Sequence, residues 1–179
     1  MFEYCEISLS PYSKVFFNEW KLNPERSDYN IVFDQNLQGK LDISKLTGAL
    51  VRFVLEHLLC NSHIKEGKDE IAFWVKNSEV YGLQYFQSNK LTNQEILKYI
   101  QEPFNLELGL LYRFVLIKNN DIEHRLIIVL HHIIIDGLSF DYLIEELSNY
   151  YNDELYKNNI SIKKQLLQIS ELSQVLSSS

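Results

Sequence analysis

The stretch that decides the fold is LLYRFVLIKNNDIEHRLIIVLHH, residues 110–132. Two runs rich in β-branched and aromatic residues, 110–118 and 124–132, flank the polar turn NNDIE, and this pattern predicts a β-hairpin. In the second run every residue from 126 to 130 is apolar, so both faces of the strand are apolar as well. We therefore expect an interior strand that is covered on both sides.

Outward from the hairpin, the periodicity of apolar residues predicts further helices and strands. Helices are expected at 9–20, after the N-cap Asp42, from Thr92 to near Pro103, and from the N-cap Ser139. Strands are expected at 29–37, 70–77 and 80–88, the last two pairing across a short turn. This order predicts an α/β (α+β) two-layer sandwich, with a largely antiparallel mixed sheet flanked by helices.

Composition and charge limit the function classes. The chain has 179 residues and a net charge of −7, which argues against a general nucleic-acid partner and hinders binding to anionic membranes. Its start lacks the features of a signal peptide, and its longest apolar run is too short to span a bilayer. Two distant cysteines, Cys5 and Cys60, indicate no disulfide scaffold. We expect a cytoplasmic protein with neither a nucleic-acid nor a membrane partner.

The hairpin ends in an unusual cluster of titratable residues. Strand alternation predicts that His131 and His132 point to opposite faces, one a satisfied core residue and the other open to a cavity. Asp136 and Gly137 are expected to form the turn that follows, where glycine allows close approach of a ligand. A histidine held by a turn carboxylate can serve as a general base. A metal site is the weaker alternative, because the adjacent histidines diverge and no third ligand is apparent.

HHIIIDGLS, residues 131–139, resembles the HHxxxDG signature of condensation domains in nonribosomal peptide synthetases. The resemblance extends over 103–152, from PF through the hairpin to the last helix, and over 41–64, which resembles a second family motif. It implies the fold of the chloramphenicol acetyltransferase-like superfamily, of which this chain would be one half-domain.

The resemblance also implies roles for individual residues. His132 matches the catalytic histidine of the signature, and His131 matches the first histidine, to which we assign a structural role. Gly137 matches the small residue that lets substrate pass close to the backbone. His57 is retained from the second motif, EHLLCNSHI in this chain.

Asp136 matches the aspartate that forms a salt bridge and holds the turn. Its arginine partner is expected in a second lobe, and Arg113 and Arg125 are the local candidates.

The family has two similar lobes, so the resemblance implies that 1–158 is the N-terminal lobe and 159–179 a connector toward a C-terminal lobe. The implied reaction is amide-bond formation between a donor acyl thioester and an acceptor aminoacyl thioester, both carried on the phosphopantetheine of carrier proteins. The lobe itself would bind no cofactor or metal and would be inactive alone. Its expected partners are peptidyl or aminoacyl carrier proteins, the second lobe and an adjoining adenylation domain. The alternatives are a CoA-dependent acyltransferase of the same fold and a non-catalytic carrier-protein docking module.

Overall fold

The structure, a computed structural model, describes residues 5–67, 70–75, 83–135 and 139–153. Its strands are β1 (Cys5–Ser8), β2 (Asn30–Gln38), β3 (Ser62–Glu66), β4 (Ile71–Val75), β5 (Gln84–Gln87), β6 (Tyr112–Lys118) and β7 (Glu123–His131). Its α-helices are α1 (Pro11–Leu22), α2 (Ile43–Glu56), α3 (Asn93–Gln101) and α4 (Ser139–Asn152).

The strands form two sheets, one with the order β2-β7-β6-β5 and the other with the order β1-β4-β3. All pairs are antiparallel except β5 with β6, which run parallel. The predicted mixed, largely antiparallel architecture and the β6–β7 hairpin are confirmed. The predicted pairing of 70–77 with 80–88 is wrong, because β4 and β5 lie in different sheets. Local alternation identifies a strand but not its partner.

Strand β7 is the centre of the larger sheet and lies between β2 and β6. Residues 126–130 are buried, as predicted, and their side chains alternate between two core clusters. Ile127 and Val129 belong to a cluster that includes residues of α1 and α3, which we call the first core cluster. Residues 126, 128 and 130 belong to a second cluster with residues of α2 and α4. Helices therefore cover both faces of this sheet.

Side-chain caps fix where the helices begin. Asp42 accepts a hydrogen bond from the Lys45 amide at 3.0 Å, which confirms the predicted N-cap of α2. Ser10 caps α1 in the same way, and Pro11 occupies the first turn, where its missing N–H costs nothing. Because α1 packs in the first core cluster, its start determines which side chains reach the end of β7.

Candidate active site

The end of β7 fixes the backbone of both motif histidines. The His131 amide donates to the Leu111 carbonyl at 3.0 Å, and the His132 amide donates to the Tyr29 carbonyl at 2.8 Å. The Ile134 amide then donates to the His131 carbonyl at 3.1 Å, so the chain turns immediately after the strand. Both histidines are therefore held at the point where regular sheet geometry ends.

His131 is an uncharged core residue at neutral pH. Its side chain is buried, and its Nδ1 accepts a hydrogen bond from the Ile133 amide at 3.1 Å. The neutral ring then carries its proton on Nε2. Burial is the main cause that lowers the pKa of His131 from 6.5 to about 4, and the neighbouring His132 and Arg113 contribute to the same shift. The ring is fixed between Tyr29 and Phe104, at centroid distances of 6.1 and 5.9 Å.

His132 is held by ring stacking. Its imidazole stacks on Phe16 of α1, with a centroid distance of 4.9 Å and an angle of 25° between the rings, and Tyr12 approaches at 6.3 Å. Its Nδ1 is buried and has no hydrogen-bond partner among the described residues. The other ring nitrogen, Nε2, is the candidate atom to meet a substrate. The predicted turn residues Asp136 and Gly137 lie outside the described residues.

The two rings do not separate as strand alternation predicted. Phe16, which contacts His132, and Phe104, which contacts His131, both belong to the first core cluster. The prediction of opposite faces is wrong because β7 ends at His131, and alternation does not continue into the turn.

The two arginines proposed for Asp136 already have carboxylate partners. Arg113 Nη1 lies 3.2 Å from Glu102 Oε2. Arg125 forms a bidentate pair with Asp34, at 2.8 Å from Nε and 2.6 Å from Nη2. Each arginine thus has a carboxylate partner among the described residues.

His57 lies apart from the two motif histidines in its contacts. It caps the C-terminus of α2, and its Nε2 lies 2.6 Å from Oε2 of Glu146 on α4. Its ring also packs on Phe53 at a centroid distance of 4.3 Å. The retained histidine of the second motif therefore connects two helices on the other side of the sheet.

His57 is part of a larger polar cluster that sequence reasoning missed. We call this cluster the α2–α4 clamp, and it consists of Arg52, Glu56, His57, Glu146, Tyr150 and Asp153. The Tyr150 hydroxyl contacts both glutamates, and the Arg52 guanidinium lies 4.2 Å from the centre of the Tyr150 ring. The spacing of Arg52 and Glu56, four residues apart in one helix, was the available sequence signal. The clamp fixes α4, the helix that follows the histidine motif.

Three other features of the described residues bear on the kind of site: metal-ligating groups, cavities and apolar helices. No group of three or more His, Cys, Asp or Glu side chains in this part of the chain is arranged to hold a metal ion. Cavities of about 500 and 290 Å³ lie along the sheet, and neither is lined by a motif histidine. Across the same ranges, no helix is both long enough and apolar enough to span a bilayer.

The candidate site lies where the buried central strand ends in two histidines. One histidine is buried in the core, and the other stacks on an aromatic ring of α1. The family model of the condensation domain matches residues 6–171, and the chain belongs to that family. It is 31% identical to surfactin synthase subunit 1 of Bacillus subtilis (strain 168) over 147 residues, which are 81% of this chain and 4% of that protein.

Solved structures share the fold at lower sequence identity. A four-domain nonribosomal peptide synthetase, AB3403, bound to AMP and glycine, matches with a TM-score of 0.73 at 16% identity, over 84% of this chain and 12% of that one. A variant of the starter condensation domain of rhizomide synthetase, in complex with C8-CoA, matches with a TM-score of 0.72 at 18% identity, over 82% of this chain and 35% of that one. The chain thus spans a small part of the curated synthetase and about a third of the isolated condensation domain.

Proposed function

We propose that this chain is the N-terminal lobe of a condensation domain that forms amide bonds between carrier-bound thioesters once it is joined to a second lobe. The observation that carries the proposal is the asymmetry of the histidine pair. His131 is buried and hydrogen-bonded through Nδ1, whereas His132 is partly exposed and has only Nε2 available to a substrate. Family membership supports the same assignment.

Amide formation needs only modest help from a base, but it needs the amine and the thioester to be positioned accurately. An α-amino group titrates near pH 7.7–8.0, so roughly a tenth of it is already neutral at pH 7. The neutral amine attacks the thioester carbonyl, and the attacking nitrogen becomes acidic as the C–N bond forms. His132 Nε2 accepts that proton, the C–S bond breaks, and the leaving thiolate is protonated to the thiol of the donor carrier. General-base help of this kind is typically worth about 10²–10⁴-fold.

The rest of the motif positions this nitrogen. His131 remains neutral and fills the core beneath the turn. Asp136 and Gly137 are proposed to hold the turn and to admit the substrate. We assign residues 1–158 to the lobe and 159–179 to the connector, with the other wall of the substrate channel supplied by the second lobe. The fragment alone is therefore inactive.

The partners follow from the reaction. Both substrates arrive on the phosphopantetheine arms of carrier proteins, so peptidyl and aminoacyl carrier proteins must dock on the complete domain. An adjoining adenylation domain would supply the activated amino acid. The lobe contributes no cofactor of its own to this reaction.

The test uses the complete two-lobe domain with one donor-loaded and one acceptor-loaded carrier protein. Mass spectrometry of the acceptor carrier should detect the amide product. His132→Ala should lower the rate by about 10²–10⁴-fold. His124→Ala is the control, because His124 is also a β7-side histidine but lies at the other end of the strand, where it is buried. This control should leave kcat nearly unchanged.

Two outcomes would contradict the proposal. Turnover by the isolated 179 residues would show that one lobe suffices. An active domain that tolerates His132→Ala would instead indicate that this lobe is a non-catalytic docking module for a carrier protein.

A second candidate function is transfer from a soluble CoA thioester. It is favoured by the fold match to a starter condensation domain that was solved in complex with C8-CoA. The same assay separates the two, with octanoyl-CoA replacing the loaded donor carrier. Product formation from octanoyl-CoA at a rate equal to that from the carrier-bound donor would favour the second candidate.

A further inference from the structure

The ring of His132 lacks the restraints that fix its neighbour. His131 is held by strand pairing, by burial and by a hydrogen bond to Nδ1. At His132 the strand has ended, and Nδ1 has no partner within the described ranges. Backbone hydrogen bonding fixes the Cα position of His132 through the Tyr29 carbonyl, but it does not fix the rotation of the imidazole. Packing must therefore orient the ring.

Phe16 is the side chain that packs on this ring. A centroid distance of 4.9 Å and an angle of 25° are within the range of offset stacking. Phe16 is only 8% exposed, so its own position is determined by the core. Tyr12 and Tyr29 contact it edge-on, each at a centroid distance of 4.8 Å with interplanar angles of 86° and 81°.

Tyr29 connects the two restraints. Its carbonyl accepts a hydrogen bond from the His132 amide, and its ring contacts the Phe16 ring edge-on. The backbone and the ring of His132 are thus fixed by the same small group of residues. A change in the orientation of Phe16 would therefore change the direction in which His132 Nε2 points, without altering the sheet.

We propose that Phe16 is a positioning residue for the reaction, which fixes by stacking the direction in which His132 Nε2 faces the substrate. This inference rests on the proposed function, and Phe16 itself does not touch the reacting atoms. Removing the aromatic face should lower kcat and leave KM unchanged, because substrate contacts remain in place.

The chain offers a matched control in the next residue. Phe17 lies in the same helix and is fully buried, and its ring stacks on Trp20 at a centroid distance of 5.7 Å. Phe17→Leu removes a core aromatic ring of the same size on the Trp20 side of α1. It should cost at least as much stability as Phe16→Leu, so any general loosening of the fold affects both variants.

The experiment measures kcat and KM for amide formation by the two-lobe domain. Phe16→Leu should lower kcat by about 3- to 10-fold with KM changed by less than about 2-fold, from the worth of one aromatic pair. Phe17→Leu should lower the melting temperature but keep kcat. Phe16→Tyr, which retains the aromatic face, should restore most of the rate. Equal losses of kcat in Phe16→Leu and Phe17→Leu, or no rescue by Phe16→Tyr, would overturn the proposal.

NMR tests the stacking of Phe16 on His132 independently of catalytic activity. The ring protons of His132 lie over the face of Phe16, so their NMR resonances should move downfield in Phe16→Leu and stay in place in Phe17→Leu. If these resonances move while the wild-type domain forms no amide, the proposed function fails but the stacking restraint stands. If the wild-type domain is active and neither the resonances nor kcat responds to Phe16→Leu, the positioning role is wrong.

Discussion

The two faces of the four-stranded sheet meet their helices through different chemistry. At the end of β7 near α1, aromatic rings and the rings of His131 and His132 pack together, and we call this region the α1–β7 junction. On the other face, the α2–α4 clamp uses ion pairs and a shared tyrosine hydroxyl. In the junction, the two imidazole rings pack against the rings of Phe16, Tyr29 and Phe104. The clamp holds charges that are half-exposed to water, and these suit a structural connection.

The largest expected effect on stability is at the buried histidine of the junction. His131→Ala should lower the free energy of unfolding by about 3–5 kcal/mol, because it removes a packed ring and leaves the Ile133 amide without a partner. The same substitution at His132, which is partly exposed, should cost only about 1–2 kcal/mol. Urea denaturation followed by circular dichroism measures both. Equal costs would mean that the two histidines do not differ as described.

The next effect is a difference in acid sensitivity. The unfolded chain protonates His131 near pH 6.5, whereas the folded chain does so only near pH 4. Between these values the unfolded state binds more protons, so stability falls as the pH drops from about 6.5 to about 4, by about 2–3 kcal/mol. In the clamp, the hydrogen bond from Tyr150 and then that from Arg52 lower the pKa of Glu56 below 4.5. Its contribution is therefore present above pH 4.5 and is lost only at lower pH.

Urea midpoints measured from pH 7 to pH 3 test this order. In His131→Leu, the urea midpoint should change less with pH above pH 4, and it should still fall as the pH drops below 4. Burial lowers the pKa of His124 as well, so a residual slope above pH 4 is expected in the variant. A wild-type curve that is level from pH 6.5 to pH 4 would contradict the buried, neutral state of His131.

Patterns among residues close in sequence were sufficient to predict many of the strands and helices around the site. The β6–β7 hairpin, the buried run 126–130 and the cap Asp42 each depend on residues that are close in sequence. Strands β1 and β3 were missed because they are short, and both depend on pairing with β4, which lies far along the chain from β1 and directly follows β3. Periodicity within a segment contains no information about such partners.

The candidate site was predictable in its residues but not in its geometry. The adjacent histidines stood out in an apolar run, yet their orientation depended on where the strand ended. The stack on Phe16 joins residues 116 positions apart, and no pattern within α1 indicates it. The clamp likewise joins α2 to α4 across about 90 residues, so only its Arg52–Glu56 pair was visible beforehand.

The smallest expected effect on the free energy of unfolding is in the clamp, and it gives the most direct comparison of the clamp with the junction. Tyr150→Phe removes the hydroxyl that contacts Glu56 and Glu146 but keeps the ring beneath the Arg52 guanidinium. Both carboxylates are partly exposed and regain water, so the expected cost is about 1 kcal/mol. Tyr142→Phe, on an exposed residue of the same helix, is the control and should cost nothing measurable. If Tyr150→Phe cost as much as His131→Ala, the polar clamp would stabilise this lobe as strongly as the buried ring, and the contrast between the two faces would be lost.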